Sequence, residues 1–171
     1  MGASVLSTDA VVHELYAGDE VRDLVVERWG AEVAPDGQVD RSAVAAKAFA
    51  TPEERAWLES VLWPRVGARI VAWREQVLAQ DPPPPAAVIE IPLLFESGMD
   101  HGFEATIAIS APEGLREQRA GSRGHAAVSE RTSRQLTQEE KAARATYAVL
   151  NDGTVEQLEQ KLSEVLAKLR S

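Results

Sequence analysis

Apolar residues recur along this chain with two different periods, and the switches between those periods lay out its elements. Residues 3–7 (ASVLS) form a short, mostly apolar run that predicts a strand ending at Thr8 and Asp9. The period then lengthens to that of a helix, first through His13, Glu14 and Leu15. It does so again over 19–29, where Val21, Leu24, Val25 and Trp29 share a face. Pro35, Asp36 and Gly37 read as a turn. Asp40 is placed to cap a helix running to about Phe49, and Thr51-Pro52-Glu53-Glu54 is a strong start for the next. That helix is expected to break or restart at Pro64 and to continue to about Leu78, because proline lacks an N–H and its ring meets the preceding turn. Four prolines at 82–85 form a stiff connector.

In the second half, residues 88–91 (VIEI) predict a strand buried on both faces, and Pro92 stops it. Residues 104–110 and 146–150 predict two further strands, with an arginine-rich helical segment between them. Thr137 with Glu140, and Thr154 with Gln157, have the spacing of capping boxes. Val155, Leu158, Leu162, Leu166 and Leu169 give the last helix a stripe expected to face the core. Strands separated by helices imply an α/β fold with a parallel sheet covered on both faces.

At 171 residues the chain suits one well-buried domain. No apolar run approaches membrane-spanning length and the start lacks a basic-then-apolar signal pattern, so no membrane partner and a cytoplasmic location are expected. Without cysteine there is no disulfide and no thiolate chemistry. A net charge of −9 argues against nucleic acid as a partner. That charge is uneven. Between 116 and 144 stand Arg116, Arg119, Arg123, Arg131, Arg134, Lys141 and Arg144 against four acidic residues, a local +3 that leaves −12 elsewhere. A basic segment in an acidic protein is a receptor for a compact polyanion such as a nucleoside triphosphate, or else a solvated face with arginines balancing glutamates.

Three constellations carry candidate chemistry. Asp9 directly follows a strand, where a carboxylate can orient a hydroxyl, accept its proton, hold Mg²⁺ through water, or simply cap the next helix. Arg119 and Arg123 stand four residues apart and present two planar forks on one helix face, and Arg131 follows. Asn151, Asp152 and Gly153 end a strand, as a turn or as a contact to a purine ring. Glu90 and Glu96 bracket the carboxyl end of the 88–91 strand, the edge at which α/β proteins place ligands. The three histidines show no metal-ligand spacing, so no transition-metal site is expected.

Taken in order, VLSTDAVVHEL, DGQVDRSAVAAKAF, TPEERAWLESVLWPRV, EIPLLFESG, the Arg119/Arg123 pair and RTSRQLTQEEKAARATYAVLNDG resemble the dephospho-coenzyme A kinase family over almost the whole chain. PLLFE and the RxxxQLTxEEK…NDG string are specific in combination. The resemblance implies a three-layer P-loop kinase fold with a helical substrate-binding part at about 14–80 and a lid at about 113–144. It implies transfer of the γ-phosphate of ATP, with Mg²⁺, to the ribose 3′-hydroxyl of dephospho-coenzyme A. Asp9 then acts at the attacking hydroxyl and Arg131 on the transferring phosphate. Arg119, Arg123, Asn151 and Gly153 bind the nucleotide, while Asp40, Arg41, Pro92, Leu93, Leu94 and Glu96 line the substrate site.

The sequence also departs from the pattern. Ser7 stands where Asp is common, Trp63 where His is common, and Glu90 where Asp is frequent. The family opens with a strand, a GxxxxGK[ST] loop and a helix, yet no glycine here is followed by lysine. The expectation is therefore a chain lacking that first unit, through a misplaced start or a fragment, and inactive as given. The rivals are a catalytically dead remnant that binds a coenzyme A-like ligand or a partner, and another small nucleoside or nucleotide kinase.

Overall fold

In the computed structural model, which describes residues 2–121 and 135–169, the chain divides into two compact units, Gly2–Ile91 and Pro92–Ser171. In the first, β1 (Ser4–Ser7) leads into α1 (Thr8–Ala17) and α2 (Asp19–Trp29), then α3 (Arg41–Ala48), α4 (Pro52–Leu78) and β2 (Ala87–Glu90). The two strands pair in parallel, Ser4 opposite Ala87 and Ser7 opposite Glu90. Helices begin where the sequence marks them. Asp40 Oδ1 accepts the N–H groups of Ser42 and Ala43, and Thr51 accepts that of Glu54. Residues 35–37 make the expected turn, with Asp36 and Gly37 at φ 57° and 74°.

Two apolar clusters hold this unit. Val21, Val25, Val33, Val44 and Leu62 join α2, α3 and α4, while Val11, Val66 and Ile70 seat α1 and α4 on Leu6 and Ile89 of the strands. Glu54 fastens α4 to α2 by accepting from Arg28 and from the Trp29 indole at 2.7 Å each. Trp29 meets Trp57 edge-on at 4.9 Å, and the Arg28 guanidinium lies 5.4 Å from the Trp57 ring centre.

The second unit carries β3 (Ile107–Ser110), α5 (Glu113–Gly121), α6 (Gln138–Arg144), β4 (Tyr147–Leu150) and α7 (Val155–Leu169). β3 and β4 are also parallel, Ile107 opposite Tyr147 and Ser110 opposite Leu150. Both capping boxes close as expected. Thr137 and Glu140 exchange bonds of 2.8 and 3.1 Å, and Thr154 and Gln157 bonds of 2.9 and 3.3 Å.

Several expectations need correction. α4 is one continuous helix through Pro64. The proline and Ser60, whose carbonyl loses its partner, are exposed and open to water, while buried Val61, Leu62 and Val66 hold the opposite face straight. β2 covers Ala87–Glu90 and is half-exposed rather than buried on both faces, because α1 and α4 cover one side of β1–β2 and leave Val5 63% exposed. The strands form two separate two-stranded ladders among the described residues, not one sheet. β3 and β4 start later than expected since the N–H groups of Thr106 and Thr146 bond each other's side chains at 3.0 Å instead of the ladder. In α7 the buried line runs through Val165, while Val155 and Leu169, at the ends of the helix, are exposed.

Candidate active site

β1 delivers Asp9 to the carboxyl end of a parallel strand pair. The junction is fixed by its neighbour: buried Thr8 donates its hydroxyl to the Glu90 carbonyl at 3.0 Å, tying the end of β1 to the end of β2. Ser7 occupies the N-cap position of α1, so Asp9 is not the cap but a residue of the first helical turn. Its carboxylate is exposed and makes no hydrogen bond or ion pair among the described residues. A free carboxylate at a helix N-terminus stays charged, which suits it to a hydroxyl proton or to a water-mediated Mg²⁺. A direct cage of three or more acidic or histidine groups does not occur among the described residues.

Asp40 and Arg41 sit together at the start of α3, but they differ in freedom. The Asp40 carboxylate is engaged as a cap, whereas the exposed Arg41 side chain reaches back to α1, its Nη1 3.5 Å from His13 Nδ1. His13 carried no weight as a lone histidine. The available signal was its position one turn beyond Asp9 on the same helix. Arg41 also acts on Tyr16, whose phenol burial pushes up while the nearby guanidinium pulls down.

In the second unit, Pro92 and Leu93 are exposed, Leu94 is half-buried, and Phe95 anchors the segment in the core. The turn closes through the Ser97 hydroxyl on the Leu94 carbonyl at 3.0 Å and Gly98 at φ 69°, a conformation that favours glycine. Glu96 does not stand free. One oxygen accepts the Leu136 N–H at 3.0 Å and pairs with Lys141 at 2.9 Å, and Lys141 also donates to the Pro92 carbonyl at 2.8 Å. Burial acts to raise the Glu96 carboxyl, but these bonds and the lysine charge hold it below its usual range. Lys141, 45 positions away in sequence, gave no sign of this partnership.

Asn151 follows β4, its N–H bonded to the Ser110 carbonyl at 2.7 Å. Asp152 pairs with Lys161 at 2.8 Å, and that ammonium also caps the Leu150 carbonyl. The lysine holds the Asp152 carboxyl below its ordinary value. Asp152, Gly153, Gln157, Gln160, Lys161 and Glu164 line an open cleft of about 580 Å³. Arg119 lies on α5, and Arg123 and Arg131 fall outside the described residues. Thus Asp9, Asp40 and Arg41 belong to the first unit, and residues 92–96, Asn151 and Gly153 to the second.

Among the described residues no helix is long and apolar enough to cross a membrane. The family model described as CoaE, dephospho-CoA kinase, matches residues 1–157. The chain is 36% identical to the dephospho-CoA kinase of Deinococcus radiodurans, over 98% of its own length and 81% of that protein. It is 32% identical to the dephospho-CoA kinase of Protochlamydia amoebophila, over 99% of its own length and 86% of that one. The crystal structure of TT1252 from Thermus thermophilus superposes with a TM-score of 0.79 at 32% identity, over 99% of this chain and 86% of that chain. A dephospho-CoA kinase from Campylobacter jejuni shares the fold, with a TM-score of 0.66 at 23% identity.

Proposed function

The chain belongs to the dephospho-CoA kinase family, and from that premise we propose that its reaction is ATP-dependent phosphorylation of the ribose 3′-hydroxyl of dephospho-coenzyme A, the last step of coenzyme A synthesis. The observation that carries this reading is Asp9: a charged, unpartnered carboxylate at the carboxyl end of β1, beside a Thr8–Glu90 lock that fixes its backbone. Its role is to orient the 3′-hydroxyl and take its proton as the oxygen attacks. Bound ATP with Mg²⁺ supplies the phosphoryl group and screens the charge that develops on it.

Around that step the remaining residues divide by task. Arg131 steadies the transferring phosphate, and Arg119 and Arg123 hold the nucleotide, because the arginine fork matches phosphate oxygens and never loses its charge. Asn151 and Gly153 meet the base. Pro92, Leu93 and Leu94 offer a surface to the substrate, and Glu96 supports that surface through Lys141 and the Pro92 carbonyl. The helices between 14 and 80 form the substrate-binding part, and 113–144 the lid. The sequence contains no GxxxxGK[ST] loop, so turnover is expected only where one is supplied.

Mass-spectrometric detection of coenzyme A and ADP decides the matter. The purified chain, and the chain extended by a strand–GxxxxGK[ST]–helix unit, are each incubated with ATP, Mg²⁺ and dephospho-coenzyme A or with free nucleosides. Coenzyme A formed by the extended chain alone is the expected result. Phosphorylation of nucleosides in its place assigns a different kinase, and robust turnover by the unextended chain removes the requirement for the loop.

A further inference from the structure

Cations in the Gly2–Ile91 unit keep to a rule that one of them breaks. Arg22 pairs with Asp19 at 2.6 Å, Arg28 with Glu54 at 2.7 Å, Lys47 with Glu32 at 2.7 Å and Arg65 with Glu20 at 2.6 Å. Arg41 instead brings its guanidinium to an imidazole, 3.5 Å from His13 Nδ1, with both side chains exposed. The nearest acid in sequence does not cancel its charge, since Asp40 Oδ1 is taken by the N–H groups of Ser42 and Ala43.

A guanidinium has donors only, so His13 accepts at Nδ1 in this arrangement and carries its proton on Nε2. What the pair then offers outward is N–H groups alone: the remaining donors of Arg41 and the Nε2–H of His13. A positively charged cluster of donors without an acceptor fits an anion with several oxygens, and the arginine fork fits phosphate best. The position along α1 narrows the choice. Asp9 and His13 are four residues apart on one helix face, separated by roughly one 5.4 Å turn. A ribose 3′-oxygen and the phosphate on the 5′ side of the same sugar are separated by a similar reach.

We propose that Arg41 and His13 together form the site that grips the diphosphate of dephospho-coenzyme A, setting its ribose 3′-hydroxyl over Asp9. This rests on the reading of the substrate given above, and it adds His13 as a substrate-binding residue.

Calorimetric titration of the purified chain tests it, with dephospho-coenzyme A, inorganic pyrophosphate and adenosine as separate probes. Arg41→Ala is expected to weaken dephospho-coenzyme A and pyrophosphate by about tenfold to a hundredfold, the worth of hydrogen bonds to a charged group, and to leave adenosine unchanged. His13→Ala weakens the same two probes several-fold, whereas His13→Gln, which keeps an N–H donor and an acceptor, restores part of the loss. The double variant loses less than the two losses combined, because the residues act on one anion. Thermal melts within a degree or two of the parent exclude a folding cause for exposed side chains. Equal affinity of parent and variants for dephospho-coenzyme A overturns the proposal. Pyrophosphate binding that depends on Arg41 without any binding of dephospho-coenzyme A keeps the anion site and removes the substrate reading. Binding of neither probe removes both.

Discussion

Asp9 and Glu96 are both carboxylates near the ends of strands, and their surroundings give them opposite work. Asp9 has no partner among the described residues and Ser7 holds the cap position, so its side chain contributes little to folding. In the chain supplied with a phosphate loop, Asp9→Asn is expected to lower kcat by about 10²–10⁴-fold. ATP affinity and melting temperature stay near parent values, as steady-state kinetics and a melt will show. Unchanged turnover in that variant returns Asp9 to an ordinary place on a helix. Glu96 is the reverse case, a carboxylate spent on structure. Its folded-state pKa is depressed below 4.5, so its contribution is fully present at neutral pH and is lost as acid protonates it through that depressed value. The melting temperature of the parent should fall more steeply below about pH 5 than that of Glu96→Gln. Parallel pH profiles for the two would remove the Glu96–Lys141 pair from the stability of this unit.

At the scale of elements, α4 and α7 show what local rules settle and what they leave open. Pro64 has every sequence mark of a helix break, yet α4 continues because its ring and the orphaned Ser60 carbonyl lie on the solvent side. Pro64→Ala restores the missing N–H and should raise stability by about 1–2 kcal/mol, after allowing for the freer unfolded chain. A loss in urea titration would mean that the ring itself packs usefully. In α7 the cap is tighter than its sequence suggests. A Cβ at Gly153 would collide with Gln157 Oε1, the atom that accepts the Thr154 N–H. Gly153→Ala is therefore expected to displace the Gln157 arm of the box and cost about 1 kcal/mol, the usual worth of a cap. If it matches the parent in urea titration, the Gln157 side chain moves aside freely.

On the scale of the molecule, the unit Gly2–Ile91 has its own valine-rich core, and Leu62 is where α4 enters it. Leu62→Ala should cost about 2–5 kcal/mol, the range for truncating a buried leucine. Loss of the near-ultraviolet signal of Trp29 and Trp57, which flank that core, reports the unfolding. A cost under about 1 kcal/mol would show that the core relaxes around the gap.

Much of this architecture was legible without coordinates, and the boundary of legibility follows the range of the forces involved. Capping at Asp40, Thr51, Thr137 and Thr154, the turn at Asp36–Gly37 and the helices between them depend on neighbours within about four residues, so the sequence by itself determined them. Family membership likewise came from short motifs in order. Only the tertiary structure decided whether an element sits at a covered face or an open one: Val5 is exposed, Val155 overhangs the end of its helix, and Pro64 escapes strain by facing water. It also decided which charges are spent. Glu96 looked available and is held by Lys141, whereas Arg41 looked like one basic residue among many and is the cation that meets a histidine in place of an acid. Pairings between residues tens of positions apart are set by how helices pack on strands, and no local pattern encodes that geometry.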